Sequence, residues 1–375
     1  MARRGNGEGT IYKRPDGLYC ARMMVGYNDE GKQIRKAFYG KTRKEVVDKL
    51  NEAIHNKKKG IVVDPTNITV GEWLETWFEE YKKRQVRVST YSRDRTVADS
   101  HVFPALGHIR LKDLRPEDVQ RFVNGLHDKG LSHNSIVKAY QIVNGATNQA
   151  VDNEMINRNR FNGKIIFPNK KQKEIRVLTK EEQKKFIEAA HCFTGGDVFV
   201  FILGTGLRIG EAMALTWDDI DFEKMEISIN KTVQYVYDYD SKKYRFNSGP
   251  PKTDSSCREI PLLPELLELL HMRKEMHIPG NGVVFQNRFG GHYTDTSLRN
   301  HHLRKITEYA GLKGVTLHSL RHTFATRGLE NGVEMVVMQK ILGHANIKET
   351  ADTYTHVLPD KLQDSMMKLS GTLKI

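Results

Sequence analysis

The chain has 375 residues, of which 38% are hydrophobic and 28% charged, a composition typical of a soluble protein with two or three domains. The net charge is +13, and such an excess favours a polyanionic partner, most commonly nucleic acid, over a basic protein without one. No apolar run approaches the ~20 residues of a membrane helix, and the N-terminus lacks the apolar region of a secretory signal. Three widely separated cysteines fit a reducing compartment, so we expect a cytoplasmic protein with no membrane contact.

More than half of the excess positive charge lies in residues 1–60, which hold 15 Lys and Arg against 7 Asp and Glu. Strand-like runs between residues 8 and 39 surround two turn signals, and a capping box at Thr42 and Glu45 begins a helix. These patterns predict a three-stranded sheet packed on one helix, with a basic face that could enter the major groove of DNA. Solvated surface charge is the alternative for each residue of that face: Tyr12, Lys13, Arg14, Arg22, Arg35 and Lys36.

A compact all-helical domain is predicted over residues 66–165, after a lysine-rich linker. A capping box at Thr69 and Glu72 opens an apolar stripe that ends at Tyr81 and is typical of a helix core. Further helices are predicted at about 90–103, 116–128 and 133–152. The candidates for phosphate contacts are Arg84, Arg87, Arg93, Arg95 and Lys138, followed by Lys170 and Lys171 in an extended basic linker or a plain solvated tether.

Residues 175–375 predict a mixed α/β domain that is mainly helical, so the fold class is multidomain α+β. A third capping box, at Thr179 and Glu182, begins its first helix. Apolar residues alternate with polar ones around Ile227, as in a half-buried strand, and two further strand-like runs follow. Helices are predicted near 180–191, 196–204, 208–216, 264–277, 295–309, 319–331 and 334–342.

The same segment lacks the common catalytic signatures HExxH, GxxxxGK[ST] and GxSxG, and it has no paired CxxC. A solvated turn explains Asp218, Asp219 and Asp221 better than a two-metal nuclease does. What remains is four short motifs: GTGLRIGEA at 204–212, PPKTDSSCREIPL at 250–262, HSLRHTFAT at 318–326 and LGHANIKETADTYTHV at 342–357. Their candidate reactive side chains are Arg208, with Glu211 one turn later to orient it, Lys252, His318, Arg321, His344 and Tyr354.

Each of these residues taken alone is more simply explained as structural; Arg208, for example, could be a buried arginine paired with Glu211. Together they supply what phosphodiester transfer without a metal requires. Arginine forks bind both non-bridging oxygens of a phosphate, and positive charge stabilises the pentacovalent transition state. A phenol needs a cationic pocket and a base to become reactive, and a departing 5′-alkoxide needs a proton donor.

At these four motifs the chain resembles the tyrosine recombinase (lambda-type phage integrase) family, especially integrases of conjugative transposons and temperate phages of Gram-positive bacteria. That family carries Arg, Lys, His-x-x-Arg, His and Tyr in this order. The resemblance covers residues 175–360 strongly and the helical core-binding (SAM-like) domain at 66–165 more loosely. The N-terminal sheet at 1–60 resembles an arm-binding domain. Position 319 is serine, where aspartate is frequent in the family.

The resemblance implies a role for each residue. Arg208 and Arg321 would hold the scissile phosphate, and His344 would bond one of its oxygens. His318 would act as general base or support the phosphate, and Lys252 would protonate the leaving 5′-oxygen. Tyr354 would attack and form a 3′-phosphotyrosine, with no cofactor and no metal. Lys231 is a rival for the lysine role, because residues 236–249 are long for the hairpin that precedes Lys252.

The implied partners are double-stranded DNA at attachment (core) and arm sites, a homotetramer assembled on that DNA through a Holliday junction, and possible accessory DNA-bending or excision factors. The place of action would be the nucleoid of a bacterial cytoplasm. Two alternatives stay open at this point: a topoisomerase of the tyrosine IB class, and a DNA-binding regulator that has lost catalysis. A metal-dependent nuclease is a third and weaker alternative.

Overall fold

The computed structural model describes residues 10–13, 17, 19–27, 33–40, 42–58, 68–170, 175–251, 254–280 and 282–346. The chain forms two compact units, one within residues 1–84 and 96–168 and the other within 85–95 and 169–375. The division into three domains stays a prediction.

The N-terminal part of the first unit is the expected three-stranded sheet with one helix. Its strands are antiparallel in the order β1-β2-β3, with Ile11, Ala21 and Phe38 in register. Ala21 and Met23 of the central strand are buried with two residues of the helix. The elements are β1 (Thr10–Lys13), β2 (Tyr19–Tyr27), β3 (Gln33–Gly40) and α1 (Arg43–Lys58).

The helical part of the first unit begins at the predicted capping box, where Thr69 N donates to Glu72 Oε2 at 2.8 Å and Glu72 N to Thr69 Oγ1 at 3.2 Å. The apolar stripe is a core as predicted, since Trp73 is buried and its Nε1 donates to the Ala146 carbonyl at 2.7 Å. The predicted helix at 90–103 continues through a π-helical turn to residue 106.

These helices are α2 (Val70–Thr76), α3 (Lys83–Gln85), α4 (Val88–Val97), α5 (Phe103–Leu106), α6 (Pro116–Asp128) and α7 (His133–Asp152). π-Helical turns lie at Trp77–Lys82 and Ala98–Val102. Residues 85–95, with most of α4, belong to the second unit.

The second unit is mainly helical, as predicted, with two small antiparallel sheets, β4-β5-β8 and β6-β7. Its helices are α8 (Lys180–His191), α9 (Asp197–Thr205), α10 (Ile209–Ala214), α11 (Leu267–Glu275), α12 (Asp295–Ser297), α13 (Arg304–Tyr309), α14 (Leu317–Glu330) and α15 (Met335–Leu342). Its strands are β4 (Ile220–Asp221), β5 (Glu226–Ile229), β6 (Thr232–Asp238), β7 (Lys243–Gly249) and β8 (Arg258–Pro261).

The long stretch before Lys252 forms a regular hairpin, because β6 and β7 pair over their whole length from Thr232–Gly249 to Asp238–Lys243. Tyr235 and Tyr244 stack across it with ring centroids 5.4 Å apart, an arrangement that stabilises an antiparallel pair. Among the residues that the structure describes, no helix has both the length and the apolar character needed to cross a membrane.

Candidate active site

Arg208 stands at the start of α10, two residues after the glycine that ends α9. Gly206 adopts φ +67°, and a Cβ there would lie 2.4 Å from Phe324 Cδ1, so only glycine fits. Arg208 N donates to Glu211 Oε2 at 3.0 Å, and its Nη1 donates to Glu211 Oε1 at 2.9 Å. Glu211 therefore orients the Arg208 guanidinium, while about a third of that side chain (36%) stays exposed.

Arg321 lies on α14 and is almost completely buried, at 5% exposure. Its Nη1 donates to the Gly206 carbonyl and its Nη2 to the Leu342 carbonyl, both at 2.7 Å. The helix begins at a capping box that the sequence did not predict, in which Ser319 Oγ accepts from Thr316 N at 3.0 Å. The serine at position 319 thus has a local role at the helix start.

The C-terminal end of α15 brings separate motifs of the chain together. Gly343 ends the helix with φ +64°, and Arg208 Nη2 donates to its carbonyl at 3.1 Å. One residue earlier the Leu342 carbonyl accepts from Arg321. The last carbonyls of a helix have no partners within it and carry partial negative charge. This helix end therefore holds both predicted phosphate-binding arginines next to His344.

The two predicted histidines are held neutral at pH 7. Burial, followed by the charges of Arg321 and Arg208, lowers the pKa of His344 to about 3. Burial, followed by the charges of Arg321, Arg299 and Arg208, also lowers the pKa of His318. A neighbouring imidazole that the sequence analysis did not single out, His322, has its pKa lowered to about 4, by burial first. A neutral imidazole retains one acceptor nitrogen, which a general base requires.

Arg258, in β8, is a buried residue of the site that the sequence analysis missed. Its Nη2 donates to Glu211 Oε2 at 3.0 Å and its Nε to the Ile341 carbonyl at 2.6 Å. A signal was present, because Arg258 precedes buried Ile260 by two residues and so shares the inward face of its strand. An arginine on a buried strand face requires a partner.

Four predicted residues lie outside the described ones: Lys252, Tyr354, Arg14 and Lys171. The rival lysine does lie within them. Lys231 Nζ is 2.6 Å from Asp219 Oδ2 and donates to Thr216 Oγ1 at 2.9 Å. The solvated-turn interpretation is therefore wrong for Asp219, which is buried at 6% exposure and caps a short helix through Thr216. Lys231 is thus the counter-ion of this carboxylate, its side chain is 32% exposed, and its rivalry with Lys252 for the general-acid role stays a prediction.

The predicted single basic face of the N-terminal sheet is wrong, because neighbouring strand residues point to opposite sides. Arg22 lies over the ring of exposed Tyr12, 5.5 Å from its centroid. Lys13 lies instead over Tyr19, which packs against the core beneath the sheet. The backbones of Arg35 and Lys36 are in β3, but their side chains lie outside the described part.

The other candidates for phosphate contacts differ in how they are engaged. Arg93 and Lys170 are exposed, and Lys138 is half-buried. Arg95 lies 5.8 Å from the centroid of the Tyr239 ring. Arg84 Nη2 lies 3.8 Å from Glu80 Oε2. Arg87 donates to the carbonyls of Pro250 and Pro251 at 3.1 and 2.9 Å. Arg87 is therefore held by backbone carbonyls, and its contact with phosphate stays a prediction.

Comparison with known proteins places the chain in a family. The profile of the phage integrase family matches residues 173–361, and the profile of the phage integrase N-terminal SAM-like domain matches residues 69–127. The chain is 31% identical to a protein named tyrosine recombinase XerC-like from Caldanaerobacter subterraneus subsp. tengcongensis, over 94% of this chain and 95% of the relative. It is 25% identical to the transposase from transposon Tn916 of Enterococcus faecalis, over 87% of this chain and 83% of the relative.

Solved structures show the same fold. The Tn1549 transposon integrase in complex with a circular intermediate DNA has a TM-score of 0.69 at 22% identity, over 81% of this chain and all of that chain. A lambda integrase tetramer bound to a Holliday junction has a TM-score of 0.58 at 18% identity, over 94% of this chain and 96% of that chain. None of these relatives supports a topoisomerase or a silent regulator. The chain belongs to the phage integrase family and is a site-specific tyrosine recombinase, an enzyme that transfers DNA strands.

Proposed function

We propose that the chain integrates and excises a mobile DNA element, and that Tyr354 is its nucleophile. The observation that supports this most is the convergence of Arg208, Arg321 and His344 at one helix end, two of them through backbone carbonyls of residues 342 and 343. Arginine forks already held in place act on the transition-state charge without reorganising during the reaction. Such a pocket also favours the phenolate form of a nearby tyrosine.

The proposed cleavage step balances its atoms within this residue set. Tyr354 Oη forms a bond to the scissile phosphorus while the bond from phosphorus to the 5′-oxygen breaks. The phenol proton passes to His318, whose imidazole is neutral because burial lowers its pKa. Lys252 gives a proton to the departing 5′-oxygen. Arg208, Arg321 and His344 bind the non-bridging oxygens, and the product is a 3′-phosphotyrosine with a free 5′-hydroxyl.

Strand joining is the reverse reaction with a different DNA end. The 5′-hydroxyl of the partner strand attacks the phosphotyrosine, its proton passes to Lys252, and Tyr354 recovers its own from His318. Two such exchanges in sequence pass through a Holliday junction. The proposed assembly is a homotetramer on double-stranded DNA, by analogy with the lambda integrase tetramer bound to a Holliday junction. Accessory DNA-bending or excision factors are further proposed partners, acting at a bacterial nucleoid.

The domain roles are part of the same proposal. Residues 1–60 would bind arm sites, residues 66–165 the core site, and residues 175–375 would carry the chemistry. The match of the SAM-like profile to residues 69–127 and of the phage integrase profile to 173–361 supports the second and third assignments. Exposed Arg22 supports the first, because cations on a small sheet can contact DNA phosphates.

The proposal is tested by trapping the covalent intermediate. A pool of nicked duplexes with randomised sequence is incubated with the protein, and protein–DNA adducts are recovered by phenol partition and sequenced. The enriched sequence then serves as a nicked suicide duplex, from which the short 5′-hydroxyl fragment diffuses away after cleavage. We expect a denaturation-stable adduct with the wild type, also in EDTA, and none with Tyr354→Phe. An adduct that persists in Tyr354→Phe contradicts the assignment of the nucleophile.

A further inference from the structure

Arg258 is a buried arginine for which the cleavage scheme above gives no task. Its side chain is 7% exposed, and its guanidinium contacts acceptors from three separate parts of the unit. Nη2 donates to Glu211 Oε2 at 3.0 Å, and Nη1 donates to the Ser256 carbonyl at 2.9 Å and approaches Glu211 Oε1 at 3.4 Å. Nε donates to the Ile341 carbonyl at 2.6 Å. So many satisfied donors fix the orientation of the planar fork.

The Glu211 carboxylate lies between this guanidinium and that of Arg208. Glu211 Oε1 accepts from Arg208 Nη1 at 2.9 Å, and Oε2 accepts from Arg258 Nη2 at 3.0 Å. The carboxylate is only 3% exposed, so water cannot replace either partner. Loss of Arg258 would leave Glu211 with the partly exposed Arg208 as its cation, at a position where the burial of a charge is costly.

The end of α15 is bound by three arginines. Its three consecutive carbonyls, of residues 341, 342 and 343, accept from Arg258, Arg321 and Arg208 in that order. Arg258 also packs against the turn that follows, since a Cβ on Gly343 would lie 2.8 Å from Arg258 Nη1. One guanidinium therefore contacts both the carboxylate that orients Arg208 and the helix end that leads into His344.

We propose that Arg258 is a positioning residue of the strand-transfer site. It holds Arg208 through Glu211, and through the Ile341 carbonyl it holds the end of α15, which leads into His344. The inference rests on the proposed function, because its consequence is the rate of phosphotyrosine formation. Arg258 does not touch the reacting phosphate in this scheme. It determines where the two groups that do so are held, and small misplacements of such groups are costly.

The electrostatics give a signature that a purely structural role would not produce. Burial would raise the pKa of the Glu211 carboxyl, but the hydrogen bond and charge of Arg258, followed by Arg208, keep that pKa below its usual value. Two guanidiniums pair with this carboxylate, Arg258 from β8 and Arg208 immediately before α10, and both lower its pKa. Without Arg258, burial raises this pKa, so Glu211 gains a proton as the pH falls and loses its hold on Arg208.

The experiment measures single-turnover adduct formation at saturating suicide duplex from pH 8 to pH 5.5. For Arg258→Met we expect a rate roughly 100-fold below the wild type at pH 7.5, and a wild-type-to-variant ratio that increases as the pH falls. Adding Glu211→Gln to Arg258→Met removes the titrating group, so the ratio becomes independent of pH. Arg258→Lys keeps the positive charge but loses the planar fork. We therefore expect slow adduct formation, with a wild-type-to-variant ratio of rates that does not change with pH.

The matched control is Arg273→Met, which removes another arginine of the same unit, one that is 16% exposed and paired with Asp197. It lowers thermal stability without the pH-dependent ratio. A rate within threefold of the wild type for both Arg258→Met and Arg258→Lys overturns the positioning role, as does a pH-independent ratio for Arg258→Met. Failure of the wild type to form any adduct overturns the proposed function instead, and the role of Arg258 with it.

Discussion

The positive charges of the second unit and those of the N-terminal sheet are held in different ways. Arg321 and Arg258 are buried, and backbone carbonyls or a carboxylate fix their guanidinium planes. Arg22 is exposed and rests on an aromatic ring. Buried cations with fixed orientation suit the stabilisation of one transition state, whereas exposed cations neutralise DNA phosphates without fixed geometry. The two regions should therefore respond differently to substitution, salt and pH.

The largest expected effect is at Arg321. Arg321→Lys cannot reach both the Gly206 and the Leu342 carbonyls with one ammonium group, and it loses the fork that binds a phosphate. We expect adduct formation at saturating suicide duplex to fall roughly 1,000-fold, at the upper end of the loss of one transition-state donor. Arg304→Lys, at an exposed arginine of the same unit, is the control. A loss below tenfold for Arg321→Lys would place it outside the reacting centre.

Substitutions of Lys252 and Lys231 should separate the proposed general acid from the counter-ion of Asp219. Lys252→Met should lower the cleavage rate by roughly 100-fold or more, since it removes a general acid. A 5′-phosphorothiolate at the scissile position should restore the rate, because a sulfur leaving group needs no proton. Lys231→Met should cleave normally but lose about 1–3 kcal/mol of unfolding free energy, measured in urea, because Asp219 loses its counter-ion while Lys231 is only partly buried. The opposite pattern would exchange the two roles.

A smaller effect, on the affinity for DNA, is expected for substitutions in the N-terminal sheet. Arg22→Ala should reduce the slope of log K against log salt concentration by about 0.9, the value for one neutralised phosphate, and leave the cleavage rate at saturating DNA unchanged. Lys13→Ala is the matched variant on the side that packs against the core. Filter binding at several salt concentrations measures both. A larger change in slope for Lys13→Ala would reverse the assignment of the DNA-facing side.

A further expected effect is on stability against pH. The pKa of His344 is lowered to about 3 and that of His322 to about 4, so the unfolded chain binds more protons than the folded chain below the ordinary pKa of 6.5. Their contribution to stability is fully present above pH 6.5 and is lost as the pH falls towards those values. Each adds up to about 1.4 kcal/mol per pH unit to the slope. Urea unfolding should show that the free energy of unfolding falls less between pH 7.5 and pH 5 in His344→Asn than in the wild type. An equal fall in the two proteins contradicts this prediction.

Local interactions explain why much of the fold could be predicted. The capping boxes at Thr69 and Thr179 were found because both partners are three residues apart in sequence. The box at Thr316 was missed, since serine at its third position is not the usual glutamate or glutamine. The basic face of the N-terminal sheet was predicted wrongly because the strand residues were grouped without applying the alternation of strand side chains.

The sequence by itself determined the order of the elements, most helix starts, and the four motifs that resemble a recombinase. Those features depend on residues within a few positions of each other. Only the tertiary structure decided which carbonyls hold Arg208 and Arg321, that Lys231 neutralises Asp219, and that Arg258 joins Glu211 to the end of α15. The reason is physical. These contacts join residues far apart in the chain, and burial, which sets their charge states, exists only after the chain has folded.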